Sequence, residues 1–197
     1  DADLDITISG IMISKFRNAG QTCVCANRIL VQRGIYPKVV DRLLAEVAKL
    51  KVGDGFADGS TIGPLINAAA VAKVNAHISD AEQLGATVLT GGVSSGDGTF
   101  VAPTVLGDVT TQMRIAHEET FGPVAPLFIF DTEEEAINMA NDTPFGLGAY
   151  FFTENIRRAW RVGEALEFGM VGFNTGSVSL EVAPFGGIKL SGIGREG

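Results

Sequence analysis

The sequence predicts an α/β domain, a mostly parallel sheet flanked by helices, with residues 1–197 forming one unit. Three observations predict it. Apolar residues recur at helical spacing in several stretches, short runs rich in β-branched and aromatic residues fall between them, and through the second half of the chain the two patterns alternate. Hydrophobic residues make up 46% of the chain, enough for a real core, and 25 glycines point to many tight turns or close backbone approaches.

Taken in order, Leu4, Ile8, Ile11, Met12 and Phe16 mark a first helix, its leading acids complementing the helix dipole and Gly20 stopping it. Residues 28–32 read as a strand and Gly34 as a turn. Pro37 then opens a helix whose face is Val40, Leu43, Leu44, Val47 and Leu50. Residues 52–66 are turn-rich. Asn67 caps a helix carrying Val71, Val74, Ile78, Ala81 and Leu84, which Gly85 ends. Strands at 87–89 and 100–106 form a hairpin with a long, mobile tip of Gly and Ser at 91–98. Residues 124–130 read as a buried strand. Thr132 and Glu135 make a capping box for a helix reaching about Asn141. A strand at 148–152, a helix capped by Thr153 with Ile156, Trp160 and Leu166 on its face, and a strand at 170–173 complete the pattern.

Several function classes are disfavoured. A net charge of -8 leaves no basic footprint for nucleic acid. No apolar run approaches the roughly 18 residues of a membrane helix. Two cysteines are too few for the disulfide framework of a secreted fold, and with no signal-peptide pattern they predict a cytoplasmic location. The acidic start, without an initiator Met, predicts an excised piece of a longer protein.

The chemistry concentrates in Phe16-Arg17-Asn18-Ala19-Gly20-Gln21-Thr22-Cys23-Val24-Cys25-Ala26-Asn27-Arg28. Cys23 falls in a loop just past a helix. A thiol reacts as thiolate, which needs local positive potential or hydrogen-bond donors, and Arg17 is close enough in sequence to supply charge. On chemistry alone Cys23 reads equally as a nucleophile or as a buried structural thiol. A metal held by Cys23, Cys25, His77 and His117 is disfavoured, because Cys-x-Cys with scattered His matches no usual zinc spacing.

The pattern Phe-x-Asn-x-Gly-Gln-x-Cys resembles the active-site signature of the aldehyde dehydrogenase superfamily. The resemblance implies that Cys23 is the nucleophile, attacking an aldehyde carbonyl to give a thiohemiacetal. Loss of hydride to NAD or NADP then gives a thioester that water hydrolyses. The backbone N–H of the cysteine would contribute to the oxyanion hole. Glu118-Glu119-Thr120-Phe121-Gly122-Pro123 is similar to a second family motif, which implies that Glu119 accepts hydrogen bonds from the nicotinamide ribose and that Phe121 packs on the ring. Pro184-Phe185-Gly186-Gly187 is similar to a late block at the substrate mouth and subunit contacts, and Asn174 to a position near the active site. The likeness covers essentially the whole chain.

Lys15-Phe16-Arg17, the Cys-Val-Cys pair and Glu181-Val182-Ala183-Pro184 look most like the succinate-semialdehyde dehydrogenases. That likeness implies a small-molecule aldehyde substrate with a distal carboxylate bound by Arg17 and Ser179, a homo-oligomeric parent and a place in GABA degradation. Guanidinium and hydroxyl donors suit a carboxylate. Cys25 is a candidate redox partner for Cys23, or an inert neighbour pointing into the core. The family's general-base Glu, its dinucleotide-binding domain and its C-terminal tail find no match here. The isolated piece is therefore expected to bind cofactor poorly and not to turn over.

Overall fold

A computed structural model describes residues 1–94 and 98–197. Its centre is a four-stranded sheet in the order β1-β4-β3-β2, formed by β1 (Ile29–Gln32), β2 (Thr87–Thr90), β3 (Thr104–Gly107) and β4 (Val124–Phe130). β1 and β3 both run parallel to β4, and only the edge strand β2 is antiparallel. A mostly parallel sheet of this kind is buried on both faces, and β3 and the start of β4 are buried without a break. Helices α1 (Leu4–Phe16), α2 (Tyr36–Val47) and α3 (Ala68–Gln83) close one continuous core around Leu43, Val74, Ile78, Leu106, Leu127 and Phe128.

The local signals act much as read. Asp3 caps α1, accepting from the Ile6 amide at 2.9 Å, and Asn67 caps α3, accepting from the Ala70 amide at 2.9 Å. Pro37 sits in the first turn of α2, which buries Val39, Leu43 and Val47; Val40, Leu44 and Leu50 pack at its margin. Leu84 lies past the end of α3 and is exposed, while Gly85 (φ +100) makes the left-handed stop.

The predicted hairpin pairs as β2 with β3, but β3 begins at Thr104 rather than near residue 100. Pro103 has no N–H for the ladder and delays pairing. The centre of the loop, residues 95–97, lies outside the described residues.

β6 (Gly148–Phe151) and β7 (Met170–Phe173) form a separate parallel pair, connected by α5 (Ile156–Ala165), and the short antiparallel pair β5 (Phe145–Gly146) and β8 (Ile188–Lys189) lies beyond them. Helix α4 (Glu133–Asn141) opens at the expected capping box: Thr132 accepts from the Glu135 amide at 3.2 Å. The reciprocal arm lands one residue early, Glu135 accepting from the Asp131 amide at 2.7 Å. The cap of α5 is Asn155, not Thr153. Asn155 accepts from the Arg158 amide, while the Thr153 hydroxyl is buried and donates to the Asp1 carboxylate at 2.9 Å. The apolar face read for α5 also shifts. Ile156 (64%) and Trp160 (68%) are exposed, because the helix docks through the small residues Ala159 and Gly163 against β7 and the Phe151 ring.

Between β1 and β6, neither of which pairs with the other, lies a cavity of about 580 Å³. Leu30 and Val31 line one side, Ala149 and Tyr150 the other, and the cavity extends to Cys23, Cys25 and Glu119.

Candidate active site

The chain leaves α1 through a tight turn in which Asn18 (φ 52), Ala19 (φ 55) and Gly20 (φ 74) are successively left-handed. Two of these are not glycine, and each such residue costs about 1 kcal/mol that the surroundings must offset. They do so with hydrogen bonds. Asn18 donates to the Gln21 carbonyl at 3.1 Å; Gln21 donates to the Pro64 carbonyl at 3.2 Å and accepts from the Ile66 amide at 2.9 Å. Gly20 has a backbone reason for its identity, since a Cβ there would stand 2.1 Å from the Gly122 carbonyl oxygen.

The turn delivers Cys23 exposed and Cys25 half-buried, both as free thiols. The Cys25 Sγ lies 2.9 Å from the Thr22 hydroxyl, and the Tyr150 hydroxyl donates to the Val24 carbonyl at 2.8 Å. Tyr150 is itself pushed up to about 12 by burial, so it stays a donor across the useful pH range. Arg17 is exposed at the start of the turn, and its charge reaches the Tyr150 phenol.

Beneath the turn lies Lys15, 1% exposed. Burial lowers its pKa to about 8, against the opposing pull of Cys25 and Glu119. Helical spacing sets Lys15 on the buried face of α1, four residues past Ile11 and seven past Ile8, but its residue type argued against burial at this depth.

The second motif meets the first here. Glu119 and Phe121 are exposed, Phe121 in a left-handed conformation (φ 52), and Glu119 lines the same cavity as Cys23. The residues on either side of Glu119 are tied down. His77 of α3 is fully buried, with Nε2 3.2 Å from the Glu118 carboxylate and Nδ1 3.1 Å from the Thr120 hydroxyl. A carboxylate only accepts, so Nε2 carries the proton and Nδ1 accepts from Thr120. Burial pushes the His77 pKa down, which keeps it neutral. Arg114 grips the Glu118 carboxylate at 2.9 and 3.1 Å, and with His77 holds its pKa down at about 2.

Ser179 is exposed and lines a separate hollow with Leu180, Glu181 and Phe185. Asn174 (φ 51) closes the ends of β6 and β7, accepting from the Thr153 amide and donating to its carbonyl, both at 3.0 Å. His117 lines the cavity too, its Nε2 on the Thr111 carbonyl at 2.6 Å, and among the described residues no cluster suited to a metal ion is found.

Over residues 1–197 the chain matches the family model described as "Aldehyde dehydrogenase family". This chain belongs to the aldehyde dehydrogenase family. It is 59% identical over its whole length to glutarate-semialdehyde dehydrogenase of Pseudomonas putida and 57% identical to the NADP(+) succinate-semialdehyde dehydrogenase of Escherichia coli, covering 41% of each. Among solved structures, succinate-semialdehyde dehydrogenase from Burkholderia pseudomallei superposes with a TM-score of 0.98 at 57% identity, over 100% of this chain and 41% of that one. The chain thus spans about two-fifths of the relatives it matches. Among the described residues no helix is long and apolar enough to cross a membrane.

Proposed function

We propose that the whole protein carrying this chain oxidises succinate semialdehyde to succinate with NAD or NADP. The observation that supports this most is the shared cavity: an exposed thiol, Cys23, and an exposed carboxylate, Glu119, brought together from sites 96 residues apart by two loops in direct contact.

In this reading the Cys23 thiolate adds to the aldehyde carbon, giving a thiohemiacetal. A bound dinucleotide would supply the hydride acceptor that lets this adduct become a thioester on Cys23, from which water releases the acid and restores the thiol. Glu119 accepts hydrogen bonds from ribose hydroxyls and Phe121 offers its ring to the nicotinamide. Both are exposed, as such roles require. Arg17 takes the distal carboxylate, with Ser179 as a further donor. Lys15 and Arg17 place positive charge around the thiols. Cys25 serves as a redox partner: peroxide is reduced to water as the two thiols become a disulfide that silences Cys23. The protein is cytoplasmic and homo-oligomeric in the same reading.

The relative named for glutarate semialdehyde supports a second substrate, longer by one methylene. Hydride transfer by the full-length enzyme, with both semialdehydes and an uncharged aldehyde of equal length, tests the reading. Preference for the charged aldehydes, lost in Arg17→Ala, is expected. Equal rates with the uncharged aldehyde would remove Arg17 and Ser179 from their roles. Retention of turnover in Cys23→Ala would overturn the mechanism. For the redox role, mild peroxide should inactivate the parent and spare Cys25→Ala; equal inactivation would reject it.

A further inference from the structure

The two loops of the site are joined by one side chain that neither the catalytic nor the cofactor role uses. Asn27 lies four residues past Cys23. Its Nδ2 donates to the Glu118 carbonyl at 3.1 Å and to the Ile115 carbonyl at 3.3 Å, and its Oδ1 accepts from the Thr120 amide at 2.9 Å. Two carbonyls on the nitrogen side and an N–H on the oxygen side leave no ambiguity about which way the carboxamide points.

The backbone groups it holds are informative. The Glu118 carbonyl belongs to the peptide plane before Glu119, and the Thr120 amide to the plane after it. With both planes fixed, the φ and ψ of Glu119 are fixed, and so is the direction of its Cα–Cβ bond. The side chains of Glu118 and Thr120 are both engaged by His77. Of the three consecutive residues, Glu119 alone has no side-chain hydrogen bond among the described residues and projects free. A second contact, Gly20 against the Gly122 carbonyl, stops the loops from sliding past one another. Few other side chains can make the Asn27 set. Asp lacks the two donors, Ser has one hydroxyl, and an apolar residue leaves all three backbone groups without their side-chain partner, two of them part-buried.

We propose that Asn27 is a positioning residue: it aims Glu119 at the cofactor and holds that carboxylate in register with the Cys23 thiol. The inference rests on the reading of Glu119 as a cofactor-binding carboxylate. Preorganised geometry of this kind changes how a site binds and reacts without touching substrate.

The test uses the full-length enzyme with Asn27→Asp, Glu119→Gln and the double variant, comparing KM for the dinucleotide, kcat and the rate of Cys23 alkylation by iodoacetamide without cofactor. Asn27→Asp is expected to raise the cofactor KM about tenfold, with alkylation changed less than about twofold. The double variant should be no worse than Glu119→Gln alone, because one residue acts through the other. Asn27→Ser, which keeps a hydroxyl for the Thr120 amide but loses both donors, replaces Asn27→Asp if that variant does not accumulate folded, and should likewise raise the cofactor KM with little change in alkylation. An unchanged cofactor KM in the Asn27 variants, alongside a raised one in Glu119→Gln, overturns the positioning role alone, as does strict additivity in the double variant. An unchanged KM in Glu119→Gln overturns the cofactor reading and the inference together.

Discussion

The four-stranded region and the region built on β6 and β7 use similar apolar sequence to different ends. The first holds nearly every fully buried side chain, from Ile8 to Phe128, in one cluster. The second leaves Ile156, Trp160, Leu180, Val182, Leu190 and Ile193 exposed. It is tied instead through polar groups. Arg28 donates to the Met139 and Ala140 carbonyls at 2.6 and 2.7 Å, Asn141 bonds the Ala165 carbonyl and the Glu167 amide, and the Lys189 Nζ reaches the Asn141 carbonyl at 3.0 Å. Apolar residues in the chain are therefore not all buried alike. In one region stability comes from apolar area removed from water, in the other from hydrogen bonds that finish strand and helix ends.

The sharpest way to break this contrast is a matched pair of truncations. Phe128→Ala should cost about 3–5 kcal/mol in urea unfolding, whereas the larger truncation Trp160→Ala should stay within about 0.5 kcal/mol. Similar losses at both positions would dissolve the distinction.

Next comes the buried charge of the first region. Burial lowers the Lys15 pKa from 10.5 to about 8, so the folded state releases its proton before the unfolded state does. Stability should therefore rise with pH between about 8 and 10.5, by up to roughly 3 kcal/mol relative to Lys15→Met, and Lys15→Met should be the more stable protein below pH 8. A parallel pH dependence in the two proteins would show that Lys15 is not the source.

The polar ties of the second region predict that Arg28→Ala loses about 2 kcal/mol, since three carbonyls of the α4 end lose their charged partner. Amide exchange should accelerate in α4 and leave β3 and β4 unchanged.

The smallest effect lies at acid pH. Glu118 and Glu133 are both held down at about 2 by hydrogen bonds from their arginine partners. Their contribution is complete above about 4.5 and disappears as pH falls toward 2. Solvent screening limits each to less than about 1 kcal/mol. Glu133→Gln should flatten the acid limb of a pH–stability curve by no more than that.

Much of the fold was legible in the residues alone. The caps Asn67 and Thr132, the Gly85 stop and the strands at 124–130 and 170–173 depend on groups within a few positions of one another, so local pattern is enough. The family followed from two motifs. Neither pattern nor motif revealed that Asn155 rather than Thr153 caps α5, because Thr153 is taken by Asp1 from the far end of the chain. Nor did they show that α5 docks through Ala159 rather than Trp160, because what lies opposite each face is set by the fold.

The same limit applies to the site. Residue type and spacing determined that a thiol loop and an acidic loop exist and which chemistry they suit. That Lys15 lies beneath them, that His77 is neutral between Glu118 and Thr120, and that Asn27 brackets Glu119 were decided by folding. The His77 and Asn27 hydrogen bonds join residues 41 to 93 positions apart. A hydrogen bond across that distance leaves no periodicity in the chain, and its partners are named only when the sheet brings them together.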